Sequence, residues 1–529
     1  MNMDKSKVKF GLLVSVAVVL AACSSEPTDE LSDSGASNES GSVEEDELIV
    51  AVANDAISLD PHGSNDTAST HIRTNIYDKL VNHDENIELQ PELAESFEQI
   101  DDLTWEFVLR EDVTFTDGEP FNAEAVKINL ERVIDPEVAS PKAFMYDMID
   151  EIEVVDEYTV HVTTEYPFAP FAMNLTHDGG GMISPKAIEE HNNGERNLEL
   201  EPVGTGSFQL DEWNQGESVR LVRNDGYWGE LPEIESSTYK IVPDQSTRIA
   251  MLNNEEAHVI DEIEPVNTSQ IETMDHADVE TVESTRLNFI ILNNDVEPFD
   301  QVEVRQAIAK AVDTDTIVEG IYEGYGRAAD GPIPPGVFGH TDDLNKNDYD
   351  LEEAQELLAS AGYEDGFSTT LYVRDNDQVN IQTAEYIQDQ LGQIGIDISI
   401  EQREWSALLS AMGEGEHEMA IAGWTTVTGD ADNATYSVFH SDNKGANGNR
   451  SFFDHEEADR LLDEAREESD PEVREQYYAE FQQIVLDESP LVFIANDPFR
   501  VGVHENVEGF IPLPIGVFDI SQVSLQTDQ

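Results

Sequence analysis

The 529-residue chain has a single cysteine, Cys23, and few basic residues. With no second cysteine, a disulfide within the chain is excluded, and the fold must be held by packing and polar contacts. Lysine and arginine together number 28, against 112 aspartates and glutamates, and the formal net charge is −84. Nucleic acid and anionic membrane surfaces are poor partners for such a chain, because both repel negative charge.

The acidic residues are spread over the whole length and are not gathered in a tail. The first 22 residues carry three lysines and one aspartate, so the rest of the chain stands at −86. Self-repulsion of this size destabilises a compact chain in dilute buffer. At molar salt the Debye length falls to about 3 Å and the repulsion is screened. We therefore predict a halophilic protein that works in brine; ordinary acidity of a secreted protein is the alternative.

Signatures of common enzyme classes are also missing. The sequence has no His-Glu-x-x-His, Gly-x-Ser-x-Gly, phosphate-loop or Gly-x-Gly-x-x-Gly pattern. Its thirteen histidines do not show the spacing of a metal cage. We expect no catalytic residue, no metal site and no cofactor, which favours a binding or scaffold protein over an enzyme.

The cysteine follows a short apolar stretch. Three lysines and an apolar run over residues 10–20 lead to Leu20-Ala21-Ala22, directly before Cys23. The run is too short to span a membrane permanently, so residues 1–22 are predicted to be a signal peptide. The junction resembles the lipobox of bacterial lipoproteins, which implies that Cys23 carries lipid after cleavage. Residues 23–46, rich in Ser, Gly, Asp and Glu, are predicted to form a disordered tether.

The remaining residues alternate strand and helix patterns. Residues 47–54 (ELIVAVAN) and 157–165 (EYTVHVTTE) alternate apolar with polar side chains, which is typical of half-buried strands. A helix is predicted from Asp350, as its N-cap, to a stop at Gly362. Residues 381–401 predict a helix followed by a strand. This alternation indicates an α/β chain of mixed α and β elements.

Six motifs occur in a fixed order along the chain. They are LQPELAESFEQIDDLTWEFVLREDVTFTDGEPFNAEAVKINLERV from Leu89, PVGTGSF from Pro202, LVRNDGYW from Leu221, PFDQVEVRQAIAKAVD from Pro298, GPIPPGVFG from Gly331 and GWTTVTGDADN from Gly423. Together they resemble family 5 of the extracytoplasmic solute-binding proteins, which serve ABC importers of dipeptides, oligopeptides, glutathione and nickel. The resemblance extends from about residue 47 to the C-terminus.

The resemblance implies a two-lobed fold of the periplasmic-binding-protein type, class II, with an extra inserted domain. Lobe I would comprise residues 47–81, 201–284 and 495–529. The inserted domain II would comprise residues 82–200, and lobe II (domain III) residues 285–494. Two crossing strands would form a hinge, and the ligand would be trapped as the lobes close.

The resemblance also implies a ligand site in lobe II. In peptide-binding relatives, an arginine matching Arg374 clamps the ligand carboxylate, and tryptophans matching Trp405 and Trp424 line a side-chain pocket. A guanidinium makes a planar two-point contact with a carboxylate, and indole faces accept varied side chains. The predicted ligand-binding set is completed by residues around the second tryptophan: Gly423, Thr425, Thr426 and Asp430.

From the residues alone, other roles stay open. Arg374 could pair at the surface with Asp375 or Asp377, and the two tryptophans could be ordinary core residues.

One position departs from the pattern of the family. Peptide-binding relatives carry an aspartate three residues after the second tryptophan, where it holds the free amine of the peptide; in this chain that position is Val427. This implies a ligand other than an ordinary dipeptide. Asp430 is the nearest candidate for a substitute, because Gly429 could turn the loop towards the cleft. The segment GWTTVTGDAD is most similar to members described as glutathione-binding.

We therefore predict an extracytoplasmic lipoprotein, held at the cell membrane through Cys23. It would capture a peptide-like solute (an oligopeptide, a dipeptide or a glutathione-type ligand) in a closing cleft and deliver it to the permease and ATPase of an ABC importer. The first alternative is a receptor of the same family for a nickel chelate or another small solute. The second is an extracellular chaperone-like lipoprotein.

Overall fold

The computed structural model describes residues 46–84 and 86–526. The predicted signal peptide, Cys23 and all of the tether except its last residue lie outside these ranges. Within the described ranges, no helix combines the length and the apolar character needed to cross a bilayer.

Strands occur along the whole of the described chain. In chain order they are β1 (Glu47–Val52), β2 (Val81–His83), β3 (Leu89–Pro91), β4 (Ala94–Gln99), β5 (Thr104–Leu109), β6 (Ile149–Asp156), β7 (Thr159–Thr164), β8 (Phe208–Asn214), β9 (Ser218–Arg223), β10 (Ser236–Ile241), β11 (Val259–Ile260), β12 (Ala277–Val282), β13 (Arg286–Leu292), β14 (Arg327–Ala328), β15 (Phe367–Arg374), β16 (Ile396–Arg403), β17 (Met419–Thr425), β18 (Leu491–Asn496), β19 (Phe499–His504), β20 (Val507–Glu508), β21 (Ile511–Pro512), β22 (Phe518–Asp519) and β23 (Ser524–Leu525).

The α-helices alternate with these strands. They are α1 (Thr67–Ile76), α2 (Ala123–Ile134), α3 (Phe171–Asn174), α4 (Pro185–Asn192), α5 (Gln245–Asn253), α6 (Pro265–Glu272), α7 (Val302–Ala311), α8 (Thr314–Gly320), α9 (Leu351–Ser360), α10 (Gln378–Gly392), α11 (Trp405–Gly413), α12 (Ala431–Phe439), α13 (Glu456–Glu467) and α14 (Pro471–Glu488). Short 3-10 turns lie at Ala143–Met145, Asp178–Gly180, Ser441–Asn443 and Gly445–Asn447.

Most local patterns of the sequence are confirmed. The side chain of Asp350 accepts hydrogen bonds from the backbone N–H groups of Glu352 and Glu353, both at 3.0 Å, and so caps α9. Gly362 follows this helix with φ +89°, a conformation that glycine adopts without strain. Both predicted strands are present as β1 and β7, and β7 alternates as expected. The prediction that β1 is half-buried is wrong, because apolar clusters cover both of its faces and it is buried from Leu48 to Val52.

Three sheets organise the chain. The largest has seven strands in the order β12-β19-β11-β1-β10-β9-β8, and a second has six in the order β14-β18-β13-β17-β15-β16. A four-stranded antiparallel sheet, β4-β5-β7-β6, is formed by residues 94–164. The chain passes from the seven-stranded to the six-stranded sheet between β12 and β13 and returns between β18 and β19. Each sheet pairs the two crossing strands antiparallel to each other.

Both faces of the six-stranded sheet are covered. Along β13, Ile290 and Leu292 face a core shared with α7, α9 and α10, whereas Phe289 and Ile291 face a second core shared with α11 to α14. A strand buried on both faces is a continuous apolar run, and this explains why RLNFIIL does not alternate.

The seven-stranded and four-stranded sheets share one core. Val50 of β1 and Phe107 of β5 belong to the same cluster of buried apolar residues. The four-stranded sheet therefore lies within the predicted domain II but has no separate core. The predicted boundary between residues 494 and 495 falls inside β18. The mixed α and β architecture is confirmed, and the division into three domains stays a prediction.

Candidate ligand-binding site

Predicted site residues lie at one edge of the six-stranded sheet. Arg374 ends β15, and the neighbouring parallel strand β17 ends with Gly423, Trp424 and Thr425. On the other side of β15, strand β16 runs parallel and leads through Glu404 into α11, which begins at Trp405. The carboxyl ends of three adjacent parallel strands thus meet at this edge, the place where open α/β sheets bind ligands.

Arg374 is exposed and stacks on an indole. Its Cζ atom lies 5.4 Å from the centroid of the Trp405 ring, and Trp405 is 38% exposed. Among the described residues, no carboxylate lies within 4.0 Å of the Arg374 guanidinium. Asp377 instead caps α10 by accepting from the backbone N–H of Asn380 at 3.0 Å. The guanidinium therefore keeps its donors available beside an apolar surface.

The adjacent arginine shows the contrast. Arg403 stands in register with Arg374 on β16, but its Nε donates to Glu401 at 2.9 Å. Its Cζ also lies 3.8 Å from the centroid of the Tyr372 ring. Arg403 is thus engaged within the chain, whereas Arg374 has only the Trp405 stack.

Gly423 permits a close approach between β17 and β13. A Cβ atom at this position would lie 2.4 Å from Oδ1 of Asn288 and 3.2 Å from Nη2 of Arg286. Oδ1 of Asn288 is buried and has no hydrogen-bond partner among the described residues, while Nδ2 of Asn288 donates to the Tyr322 hydroxyl at 3.1 Å. Any larger side chain in place of Gly423 would push these groups away from the sheet edge.

Trp424 packs against the second core, on the face of the six-stranded sheet that Phe289 and Ile291 also face. Its half-buried ring separates two small cavities of about 10 Å³ each. The indole Nε1 and the hydroxyl of the nearby Thr426 are both buried, and neither has a hydrogen-bond partner in the part of the chain that the structure describes. Pro332 and Pro334 form part of the wall of one cavity. These prolines, part of the motif GPIPPGVFG, therefore border the predicted pocket.

The loop after Trp424 touches the N-terminal part of the chain. The carbonyl of Thr428 lies 2.8 Å from Nε2 of His83. Gly429 has φ +72°, and a Cβ atom there would lie 2.2 Å from Cγ2 of Ile87. The backbone N–H of Val427 donates to Oδ1 of Asn433 at 3.1 Å. His83 and Ile87, which precede the crossing from β12 to β13, thus meet Thr428 and Gly429, which follow it, at this loop.

Two buried aspartates follow the loop, and each is paired with an arginine. Asp430 is 2% exposed, and its two oxygens accept from Nη1 and Nη2 of Arg474 at 3.0 and 2.9 Å. Asp432 accepts from Nε of Arg466 at 2.7 Å. Burial raises the pKa of Asp432, and Arg466 opposes that rise. Across the described ranges, no group of three or more His, Cys, Asp or Glu side chains is placed to hold a metal ion.

This geometry bears on the role expected of Asp430. Besides its pair with Arg474, Asp430 accepts from the backbone N–H of Asp432 at 2.9 Å and so caps α12. Contact between Asp430 and a ligand amine would require the buried ion pair to break. Gly429 does turn the loop, but towards Ile87, while the aspartate points into the second core. The geometry does not favour Asp430 as a binding residue, and that role stays a prediction.

Sequence reasoning missed Arg286 and Arg450. Arg286 starts β13 beside Gly423, and Arg450 borders the cavity on the other side of Trp424. Neither guanidinium has a carboxylate within 4.0 Å among the described residues. No sequence signal singles out Arg450, because its acid-free stretch, residues 443–453, is matched in length by residues 419–429.

Comparison with known proteins identifies the family. Residues 88–446 match the family model described as "Bacterial extracellular solute-binding proteins, family 5 Middle". The chain belongs to this family. The glutathione-binding protein GsiB of Salmonella typhi is 33% identical over 488 residues, which cover 91% of this chain and 94% of the relative.

Solved structures agree. The periplasmic binding protein DppA of Helicobacter pylori, in complex with the peptide STSA, superposes with a TM-score of 0.80 at 32% identity. That match covers 91% of this chain and 98% of DppA. A dipeptide-binding protein from a Pseudoalteromonas species, in complex with Met-Leu, gives a TM-score of 0.81 at 26% identity, with 91% of this chain and all of the other covered. The predicted fold class and the function as an extracytoplasmic solute-binding protein are confirmed.

Proposed function

We propose that this family member captures a peptide-like solute for an ABC importer and that Arg374 anchors the carboxylate of the ligand. The observation that carries the proposal is the state of Arg374, which is exposed, stacked on Trp405 and without an acidic partner among the described residues. The relatives support the ligand class, since they include a glutathione-binding protein and a binding protein in complex with a peptide.

The charge balance of the chain strengthens the argument for Arg374. Acids outnumber bases four to one, and most of the arginines form ion pairs with them. An arginine that stays unpaired at the carboxyl edge of a sheet in such a chain suits an anionic group from outside. A guanidinium fits a carboxylate through two parallel hydrogen bonds and loses its hydration more readily than an ammonium does.

The tryptophans and their neighbours would receive the rest of the ligand. Trp405 offers an exposed ring face beside Arg374, and Trp424 offers a half-buried one at the end of the adjacent strand. Such faces contribute contact area without demanding one side-chain shape. Val427 supplies no countercharge for an α-ammonium, which favours ligands whose amine lies elsewhere, such as γ-linked glutathione.

The membrane association is a separate part of the proposal. The lipobox-like junction before Cys23 supports a lipid anchor on that residue, with the tether joining it to the folded part. A receptor held in this way would hand its ligand to the permease and ATPase of the importer at the membrane surface.

The test is calorimetry of glutathione and N-acetyl-Ala-Ala binding to the wild type and to three variants. Arg374→Ala should weaken binding at least about 30-fold, because a buried charge pair contributes roughly 2 kcal/mol or more. Arg374→Lys should recover only part of the loss, since an ammonium cannot make the planar two-point contact.

Arg403→Ala is the matched control, because it removes an arginine in register with Arg374 that is already paired. Equal losses in the two alanine variants would point to a general effect of charge. Unchanged affinity in Arg374→Ala would reject the proposed anchor.

A further inference from the structure

The two cavities beside Trp424 share part of their lining and together are called the recess. They share four walls, which are Phe289, Trp424, Val438 and Leu491. Thr426 borders the first cavity and Arg450 the second. The shared walls are apolar side chains of β13, β17, β18 and α12, so the polar groups at the two ends define the chemistry of the recess.

Each of those polar groups is an unused hydrogen-bond donor. Nε1 of Trp424, Oγ1 of Thr426 and Nε of Arg450 are buried and have no hydrogen-bond partner within the described ranges. An indole N–H and a guanidinium N–H can only donate, and a hydroxyl can donate as well. Buried polar groups are normally satisfied, so three donors without a protein partner beside one recess suit a ligand group that accepts hydrogen bonds.

Arg450 adds an uncompensated positive charge. Burial lowers the pKa of its guanidinium, and no carboxylate among the described residues lies within 4.0 Å to oppose that effect. The neighbouring imidazole of His417 adds no second positive charge, because burial lowers its pKa to about 4 and it is neutral at physiological pH. Arg450 is partly buried, with its Nε enclosed, and a cation in such surroundings is stabilised by an anion that also accepts hydrogen bonds.

We infer that the recess around Trp424 binds an acidic side chain of the ligand, whose carboxylate accepts from Arg450, Trp424 and Thr426. This rests on the proposed function and makes it more specific: the solute is a peptide-like molecule with a second carboxylate besides the one held by Arg374. As they stand, the cavities each have room for about one water. An acidic side chain would need the Trp424 ring to turn, and the indole Nε1 has no hydrogen-bond partner among the described residues that would hold it in place.

The test compares ligands that differ in one charge. The probes are N-acetyl-Ala-Glu against N-acetyl-Ala-Gln, N-acetyl-Glu-Ala against N-acetyl-Gln-Ala, and glutathione, all at the same molar salt. We expect the glutamate member of at least one pair to bind the wild type about tenfold or more tightly than its glutamine counterpart. Acetylation removes the free amine from the comparison.

The variants assign that preference to residues. Arg450→Gln should reduce the preference to within about twofold while the glutamine peptide binds as before. Thr426→Val keeps a side chain of similar size in the wall of the recess and removes one hydrogen-bond donor. It should therefore reduce the preference for glutamate by a smaller factor than Arg450→Gln does. Arg403→Gln removes a charge from the same lobe outside the recess and should leave the preference intact.

The outcomes separate the two proposals. If no probe binds the wild type, the proposed function fails and this inference with it. If the probes bind through Arg374 but glutamate and glutamine members bind alike, the recess holds water only and the inference alone is wrong. The same conclusion follows if the preference exists but survives Arg450→Gln. The wild-type comparison needs no variant, so it stands even if Arg450→Gln fails to fold.

Discussion

The carboxylate of Asp430 lies in a two-point contact with the guanidinium of Arg474, with oxygen–nitrogen distances of 3.0 and 2.9 Å and only 2% of Asp430 exposed. Asp430→Asn would leave the Arg474 charge buried without a partner. Asparagine caps helices as well as aspartate does, so the loss of charge would dominate. We expect a destabilisation of about 3–5 kcal/mol in urea unfolding at constant molar salt.

Two comparisons make this prediction specific. Glu457→Gln breaks an ion pair with Arg460 in which both side chains are about half exposed, and it should change stability far less than Asp430→Asn does, because solvent screens exposed pairs. If Asp430 instead holds a ligand amine, Asp430→Asn should abolish ligand binding and leave unfolding almost unchanged. That result would restore the role expected from the sequence.

Local elements of the fold were predictable because their causes are local. The cap at Asp350 needs only a side chain and two N–H groups that follow it in sequence. The placement of Arg374 and Trp405 at one sheet edge follows from where two adjacent parallel strands end. Motif order was enough to identify the family, because a long ordered set rarely arises by chance.

The partners of individual charges were not predictable. Asp430 and Arg474 are 44 positions apart, and nothing in a chain with 112 acids marks which one faces which arginine. Arg450 and Trp424 line the same cavity only because the segment that follows α12 packs beside the end of β17. Such contacts depend on how the helices pack on the sheet. The sequence pattern predicts which face of a helix packs inward, but not which residues that face meets.

A buried carboxyl group offers a test by pH. Burial, and then the nearby Asp78, raise the pKa of Glu92 to about 7, against 4.5 in an unfolded chain. Between these values the folded state holds a proton that the unfolded state has lost, so this group makes stability fall as pH rises from about 4.5 to 7. Glu92→Gln should remove that contribution. The free energy of unfolding of the variant, relative to wild type, should rise by on the order of 1 kcal/mol across this range.

The control for Glu92 is Glu95→Gln, which makes the same change at an exposed position of β4. Glutamine at position 92 also disturbs the hydrogen bonds from the Lys79 N–H and from Asn82. This changes the stability of the variant by a constant amount, so the test uses only the change of the stability difference with pH. A relative stability that is flat or falls with rising pH would show that Glu92 is ionised throughout.

The net charge of −86 beyond residue 22 predicts a response to salt. The melting temperature of the chain from Glu47 onwards should rise from dilute buffer to molar salt, because screening reduces self-repulsion. Sodium and potassium chloride should act alike to first order. A melting temperature that stays constant or falls over this range would contradict adaptation to brine.

The lipid anchor is tested at its single cysteine. Cys23→Ser should block acylation, so the protein should be either left uncleaved or released from the membrane, as shown by cell fractionation and by mass spectrometry of the N-terminus. Thr28→Ala, in the predicted tether, should leave processing unchanged. If the serine variant loses its signal peptide and still stays on the membrane, the lipoprotein prediction is wrong.

Val427 tests whether the cleft lacks an anchor for a free amine. An α-ammonium buried in a closed cleft needs a countercharge, because burial without one costs several kcal/mol. Val427→Asp should therefore increase the affinity for Ala-Ala at least about tenfold in calorimetry, with no matching gain for N-acetyl-Ala-Ala. Val427→Asn, similar in size but uncharged, should not produce the gain. If the wild type binds Ala-Ala tightly and this binding depends on the free amine of the dipeptide, another acid already supplies the countercharge. In that event Asp430→Asn shows whether Asp430 is that acid, since its ion pair with Arg474 would then have to open on binding.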